Sequence, residues 1–282
     1  MFDLGNVEPS SLVLLDRVVA ELSSLTGADE RSLMLIGAHC RDLLHQAFGR
    51  TDTMRSTDDV DVALAVSGPA EYHRITSALP RSGATDVRYS VADIPVDVVP
   101  FGGIEHPAGT ARLPGRRESI DVFGFQEVFD RSDELTLPGG SRIALPTPAG
   151  YAVLKVKAWA DRSAHFEYKD ASDIATLCSW YQRDPEIGKL LYSTRLDLLQ
   201  RAELDTDVAA LYLLSEEIAE VLGAEREAEL TAALESTDLG ILAHHFAKAR
   251  SSSKPNTASA TSELIALTDF TQGSAAFPPD RR

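Results

Sequence analysis

The segment RSTDDVDVALAV, residues 55–66, places Asp59 and Asp61 on either side of Val60 at the head of an apolar run. Side chains alternate across a strand, so these carboxylates project from one face and can share a divalent cation. Such a pair suits nucleotidyl transfer from a nucleoside triphosphate (NTP), where Mg²⁺, or Mn²⁺ in its place, neutralises the phosphates and activates an oxygen nucleophile. An acidic pair on a surface strand also serves solubility alone, so its surroundings must decide. Asp97 is a further candidate metal ligand, because it interrupts the otherwise apolar strand-like run PVDVVPF, where an unpaired carboxylate is costly to bury. A metal would supply its partner; an ion pair with Arg88 or an exposed edge position would also account for it.

The flanking elements decide how such residues are presented. LMLIG, Leu33–Gly37, reads as a short buried strand ending in a Gly37–Ala38 turn, and a helix-like segment follows from His39 to Phe48. The N-terminal amides of that helix can cradle a triphosphate, and glycine lets the backbone approach it closely. The periodicity predicts a first helix over Ser10–Leu25, a strand over Val60–Val66, a helix near Pro69–Leu79, and strands at VRYSV and PVDVVPF. Glycine and proline dominate from Gly103 to Arg117, and short strands are expected near ELTLP and SRIALP around the turn at Pro138–Gly140. From Pro148 the pattern becomes helical: Pro148–Arg162, Asp170–Tyr181, roughly Asp207–Leu222, and two more helices before Arg250. The expected division is therefore 1–146, an α/β part; 147–250, a helical part; and 251–282, a small, polar, proline-bearing tail expected to be disordered.

Five segments in this order, LIGAHCRDLL, RSTDDVDVALAV, VDVVPFGGIEHP, LPTPAGYAVLKVKAWADR and YKDASDIATL, resemble the AbiEii/AbiGii-type nucleotidyltransferases of the polymerase-beta-like superfamily, which include the MenT-like toxins. The resemblance implies an α/β (α+β) fold: a polymerase-beta-like nucleotidyltransferase domain with a mixed sheet, then a helical domain completing the active site. It makes Asp59 and Asp61 the metal carboxylates and puts Gly37 and Ala38 in the family's Gly-Ser or Gly-Gly phosphate turn. Ala38 departs from the pattern, losing a hydroxyl but keeping the backbone amide. Arg41 and Asp42 look like the Arg-Asp that follows the turn, with Arg41 facing the phosphates or forming a helix-capping salt bridge. Thr57, just ahead of the carboxylates, is counted with the nucleotide-binding residues and is a position where a regulatory phosphate would repel the triphosphate.

In the helix from Pro148, Lys155 and Arg162 lie seven positions apart on nearly one face, whereas Lys157 points elsewhere. The resemblance gives Lys155 the nucleotide's phosphates, with Arg162 beside it; Lys157 is the equivalent if the register slips. Asp170 and Asp173 share a face of the next helix, in the place of the family's fourth motif. Asp170 is expected to orient Lys155 or to act as general base on the acceptor, although pairing with Lys169 or Arg162 gives a structural account.

The activity implied is transfer of a nucleoside monophosphate from an NTP to a macromolecular acceptor, with pyrophosphate released. Likeness to MenT-like toxins points to the 3′ end of tRNA and to a toxin with a cognate antitoxin. Related enzymes modify proteins or small hydroxylated compounds instead. A noncatalytic nucleotide sensor is the alternative class, and the intact Asp59, Asp61 and Lys155 argue against it.

The bulk numbers bound these readings. With 282 residues, 44% hydrophobic and 25% charged, the chain has an ordinary globular composition. Its net charge of −16 disfavours a nonspecific grip on long nucleic acid, a tension that a basic surface around Arg41, Arg55, Lys155 and Arg162 would relieve. No apolar stretch is long enough to span a bilayer, and MFDLGNVEPSS lacks a basic segment followed by an apolar one, so a cytoplasmic protein without a membrane partner is expected. Cys40 and Cys178 have no metal-ligand spacing and read as free thiols. His39, His45, His106 and His165 are scattered, without zinc spacing, and read as solvated or locally bonded. No Walker loop, G-x-S-x-G or G-x-G-x-x-G is present, which argues against the common NTPases, hydrolases and dinucleotide enzymes.

Overall fold

The computed structural model describes residues 2–52, 54–55, 57–83, 85–113, 119–250 and 256–270. The chain divides into two compact units, Phe2–Thr147 and the residues from Pro148 onward. Together they form a mixed α/β protein that is mostly helical, and among the described residues no helix is long and apolar enough to cross a membrane.

In chain order the first unit contains α1 (Pro9–Thr26), β1 (Leu33–Ile36), α2 (Gly37–Ala47), β2 (Val60–Val66), α3 (Pro69–Thr76), β3 (Arg88–Val91) and β4 (Ile94–Gly102). It continues with β5 (Thr110–Ala111), β6 (Ile120–Asp121), α4 (Phe125–Asp130), β7 (Asp133–Thr136) and β8 (Arg142–Leu145). Pro9 starts α1 with a φ already suited to a helix, and Gly27 ends it in the left-handed region at φ +62°. Leu12, Leu15, Val18, Val19 and Leu22 form the face that α1 buries.

Six strands form one mixed sheet in the order β3-β4-β2-β1-β8-β7. β1 runs antiparallel to β2 and parallel to β8, while β2 and β4 are parallel from Val60↔Val96 to Val66↔Gly102. All four residues of β1 are buried, so this central strand has an unbroken apolar run rather than an alternating one. Val60, Val62, Leu64, Val96 and Val98 are fully buried, and each such side chain contributes about 1.5–3 kcal/mol. β3 and β4 form a hairpin whose turn residues, Ala92 and Asp93, have φ of +52° and +62°. Positive φ at both central positions matches the right-handed twist of the strands, and Arg17 ties the turn down by donating to the Ala92 carbonyl at 3.1 Å. In the glycine- and proline-rich stretch, β5 and β6 pair as a small separate ribbon, Thr110 opposite Asp121.

The second unit contains α5 (Pro148–Ser163), α6 (Asp170–Gln182), α7 (Pro185–Leu191), α8 (Leu196–Arg201), α9 (Thr206–Glu235), α10 (Leu239–Arg250) and α11 (Thr257–Leu267). α9 is broken at Gly223, whose φ of +70° and ψ of +166° are not helical, so its first arm ends at Leu222 and a second runs on to Glu235. The short α7 and α8 lack a long apolar period and are absent from the sequence reading; α7 starts where Asp184 caps the Glu186 amide ahead of Pro185.

The expectation of a disordered tail over 251–282 is corrected for residues 256–270; 251–255 and 271–282 lie outside the described residues. Asn256 caps the Ser259 amide, and Ala260, Leu264, Leu267 and Phe270 are buried as α11 packs against α9 and α10. Glu263, itself buried, accepts from Arg250 and Gln182 (2.6 Å to the latter), tying α11 to α10 and α6. Small and hydroxylated residues give α11 the composition of a tail, but burial of its apolar face supplies what composition does not.

Candidate functional site

Parallel pairing of β2 and β4 sets Asp61 directly opposite Asp97. Asp59 lies two residues before Asp61 and so faces the same side. One oxygen from each of Asp59, Asp61 and Asp97 lies within 4.8 Å of the others, and all three residues are half-buried. A one-residue slip of either strand would send its carboxylate to the opposite face, so the apolar pattern that fixes the register also assembles the cluster.

The turn from β1 into α2 closes over this cluster. Gly37 has φ +69°, and a Cβ there would sit 2.0 Å from Asp61 Oδ2, 2.7 Å from its Cγ and 2.8 Å from its Cβ. Glycine is needed here for two reasons, a left-handed backbone and room for the Asp61 carboxylate. Among the described residues no side chain caps α2, so its N-terminal amides can take water or an anion. Ala38, half-buried, follows in the first turn.

Arg88 faces Asp97 across the β3–β4 hairpin. Its Nε donates to Asp97 Oδ1 at 2.7 Å, and its Nη2 donates to Asp97 Oδ2 at 2.8 Å and to Asp59 Oδ2 at 2.6 Å. The Thr57 hydroxyl donates to Asp59 Oδ1. Chiefly through that bond, and further through the charge of Arg88, the Asp59 carboxyl is held below the usual carboxylate range. The reverse effect, led by hydrogen bonds to Asp97, raises the proton affinity of Arg88.

Asp97 thus has the Arg88 partner that the sequence offered as one account of it, and it also belongs to the carboxylate cluster. The bridge from Arg88 to Asp59 was not legible, since it depends on two separate strand pairings. The Arg41 side chain is 4% exposed and donates to Asp42 at 2.7 Å and to the Arg55 carbonyl at 3.0 Å. It therefore ties Arg55 to α2 and adds nothing to an exposed basic surface. His39, read as solvated or locally bonded, is half-buried beside Asp42 and Asp59, and its buried Nδ1 has no hydrogen-bond partner among the described residues. Burial lowers its pKa, and the two carboxylates partly offset that effect.

The second unit holds a network of its own. Lys155 Nζ lies 2.6 Å from Asp173 and 3.6 Å from Asp170, above the Tyr151 ring at 5.4 Å from its centroid. Arg162 donates to both oxygens of Asp170, at 3.1 and 3.0 Å. Helical spacing brings Lys155 and Arg162 to one carboxylate, whereas Lys157 pairs within its own helix with Asp161 at 2.6 Å. Asp170 is fully buried, and a buried carboxylate must be paired in this way. Asp170 and Asp173 both lie in the first turn of α6, where negative charge also suits the helix dipole.

Compared with known proteins, the chain matches no family model, and no curated protein shows significant similarity to it.

Proposed function

We propose that the protein is a divalent-cation-dependent nucleotidyltransferase of the polymerase-beta-like kind, moving a nucleoside monophosphate from an NTP to an acceptor hydroxyl with release of pyrophosphate. The observation that carries this reading is the convergence of Asp59, Asp61 and Asp97, ligand atoms within 4.8 Å, beside the N-terminus of α2, which no described side chain caps. The donor set fits Mg²⁺ or Mn²⁺, which take carboxylate oxygens and retain room for phosphate and water. Asp59, Asp61 and Asp97 would hold the cation, which when bound neutralises the triphosphate and makes the attacking hydroxyl more acidic.

The chain's own groups supply the rest. The amides of Gly37 and Ala38 bind phosphate oxygens, and Gly37 keeps the turn close enough to Asp61 for both to engage one ligand. Thr57 orients the Asp59 carboxylate and helps keep it ionised, so that it stays a ligand rather than taking a proton. The resemblance extends the reading to Lys155 as a ligand of the nucleotide's phosphates, oriented by Asp170. It also names the acceptor as the 3′ end of tRNA, which would make the protein the toxin of a toxin–antitoxin pair. The net charge of −16 favours a second reading of the acceptor alone, a protein or a small hydroxylated compound in place of RNA.

The test is incubation of purified protein with Mg²⁺, each α-³²P-labelled NTP in turn, and total tRNA or cell lysate, with Asp59→Ala as control. Label on tRNA that disappears in the variant supports the RNA reading, and label on protein supports the other. Absence of label from tRNA, from protein and from the small molecules of the lysate, under conditions where NTP binds, favours a noncatalytic nucleotide sensor and counts against this reading.

A further inference from the structure

Three carboxylates whose ligand oxygens lie within 4.8 Å of one another repel strongly unless a positive charge sits among them. In this structure that charge is the Arg88 guanidinium. It engages Asp97 through both carboxylate oxygens and Asp59 through one, at 2.6–2.8 Å. We infer that Arg88 is a built-in counter-cation of the site, holding Asp59 and Asp97 in place without metal and competing with the divalent cation for their oxygens. This inference rests on the reading of these carboxylates as a divalent-cation site.

The local structure permits the exchange. β3 is the edge strand of the six-stranded sheet, and the 80–82 segment borders its outer side, where the Ser82 amide donates to the Arg88 carbonyl at 3.1 Å, so the exchange involves the Arg88 side chain and not its backbone. Its side chain is 30% exposed, against 31% for Asp59 and 19% for Asp97, so the guanidinium can leave towards solvent without opening the core. Gly83 lies against its aliphatic stem, and a Cβ there would be 3.2 Å from Arg88 Cδ; the missing side chain leaves the stem a path. The forked guanidinium also sets the spacing of the two carboxylates, so metal ions meet ligands already brought together. Affinity for a bare cation is lowered in return, because each ion must displace a charge-assisted hydrogen bond.

The experiment titrates Mn²⁺ into the full-length, nucleotide-free protein by calorimetry, for wild type, Arg88→Gln, Arg88→Lys and Asp61→Asn. Removing one positive charge a few ångströms from the ion should tighten Mn²⁺ binding in Arg88→Gln by about tenfold or more. Arg88→Lys, which keeps the charge but loses the fork, should fall between that variant and wild type, and Asp61→Asn should bind more weakly than wild type. Thermal unfolding supplies an independent readout: Arg88→Gln should melt lower than wild type without Mn²⁺ and gain more on its addition. If Arg88→Gln does not fold, the comparison rests on Arg88→Lys, which must still bind Mn²⁺ more tightly than wild type. Equal or weaker binding by the folded Arg88 variants overturns the inference and leaves the cation-site reading standing. No Mn²⁺ binding by wild type or by any variant at millimolar concentration overturns both.

Discussion

Gly37→Ala offers the sharpest test of how the first unit places its carboxylates. The new methyl group would fall 2.0 Å from Asp61 Oδ2 and 2.7 Å from its Cγ. Rotation of the Asp61 side chain relieves those contacts only in part, because Asp61 Cβ, fixed to the backbone of β2, is itself 2.8 Å away. Alanine at φ +69° adds a left-handed penalty of about 1–2 kcal/mol. A comparable overpacking cost brings the total to about 3 kcal/mol. For a protein of this size that corresponds to a fall in Tm of about 6–12 °C. The assay is urea and thermal unfolding of Gly37→Ala, Asp61→Ala and the double variant. Asp61→Ala removes the two shortest contacts but not the backbone strain, so the second substitution should recover about 1–2 kcal/mol of the first one's cost. A Gly37→Ala protein within about 0.5 kcal/mol of wild type would refute the argument that the turn must be open at this point. Strict additivity in the double variant would show that Asp61 is not what the methyl group meets.

The remaining predictions concern the helical unit. Asp170→Ala leaves Lys155 and Arg162 without their shared buried carboxylate and should cost about 3 kcal/mol in urea unfolding, whereas Asp173→Ala should cost about 1 kcal/mol because Lys155 retains Asp170 at 3.6 Å; equal losses would contradict this ranking. Burial holds the Glu217 carboxyl above its ordinary range, although the Tyr181 hydroxyl that donates to it acts the other way. The folded state therefore binds this proton more tightly than the unfolded chain, and the associated stability is present at low pH and lost as pH rises from the ordinary carboxylate pKa through the folded value. Glu217→Gln does not titrate, so its stability relative to wild type should grow as pH rises from about 4 to 7, measured by Tm at each pH; a constant difference would refute the assignment.

Much of the scaffold was legible because local periodicity reports which face of an element is buried. The run Val60–Val66 reads as a strand from its apolar residues and forms as β2 over those residues. The helix that begins at Pro148 is visible from its spacing, as is the separation of Lys155 and Arg162 from Lys157 on its surface. The break near Leu222 also shows, since Gly223 stands where the helical pattern lapses. Elements without a long apolar period were not legible: α7, α8 and α11 are short or carry many polar residues, so their caps and few buried side chains do not stand out in the sequence.

For the candidate site, the sequence by itself determined that Asp59 and Asp61 share a face and that a glycine turn leads into a helix. It also set Lys155 and Arg162 on one helical stripe. Only the tertiary structure decided that Asp97 stands opposite Asp61, that Arg88 bridges Asp97 and Asp59, and that Arg41 is buried on Asp42 and the Arg55 carbonyl. The reason is that side-chain period is a property of one segment, whereas the partner of a carboxylate depends on which strands pair and in what register, and that is set by burial of the whole sheet.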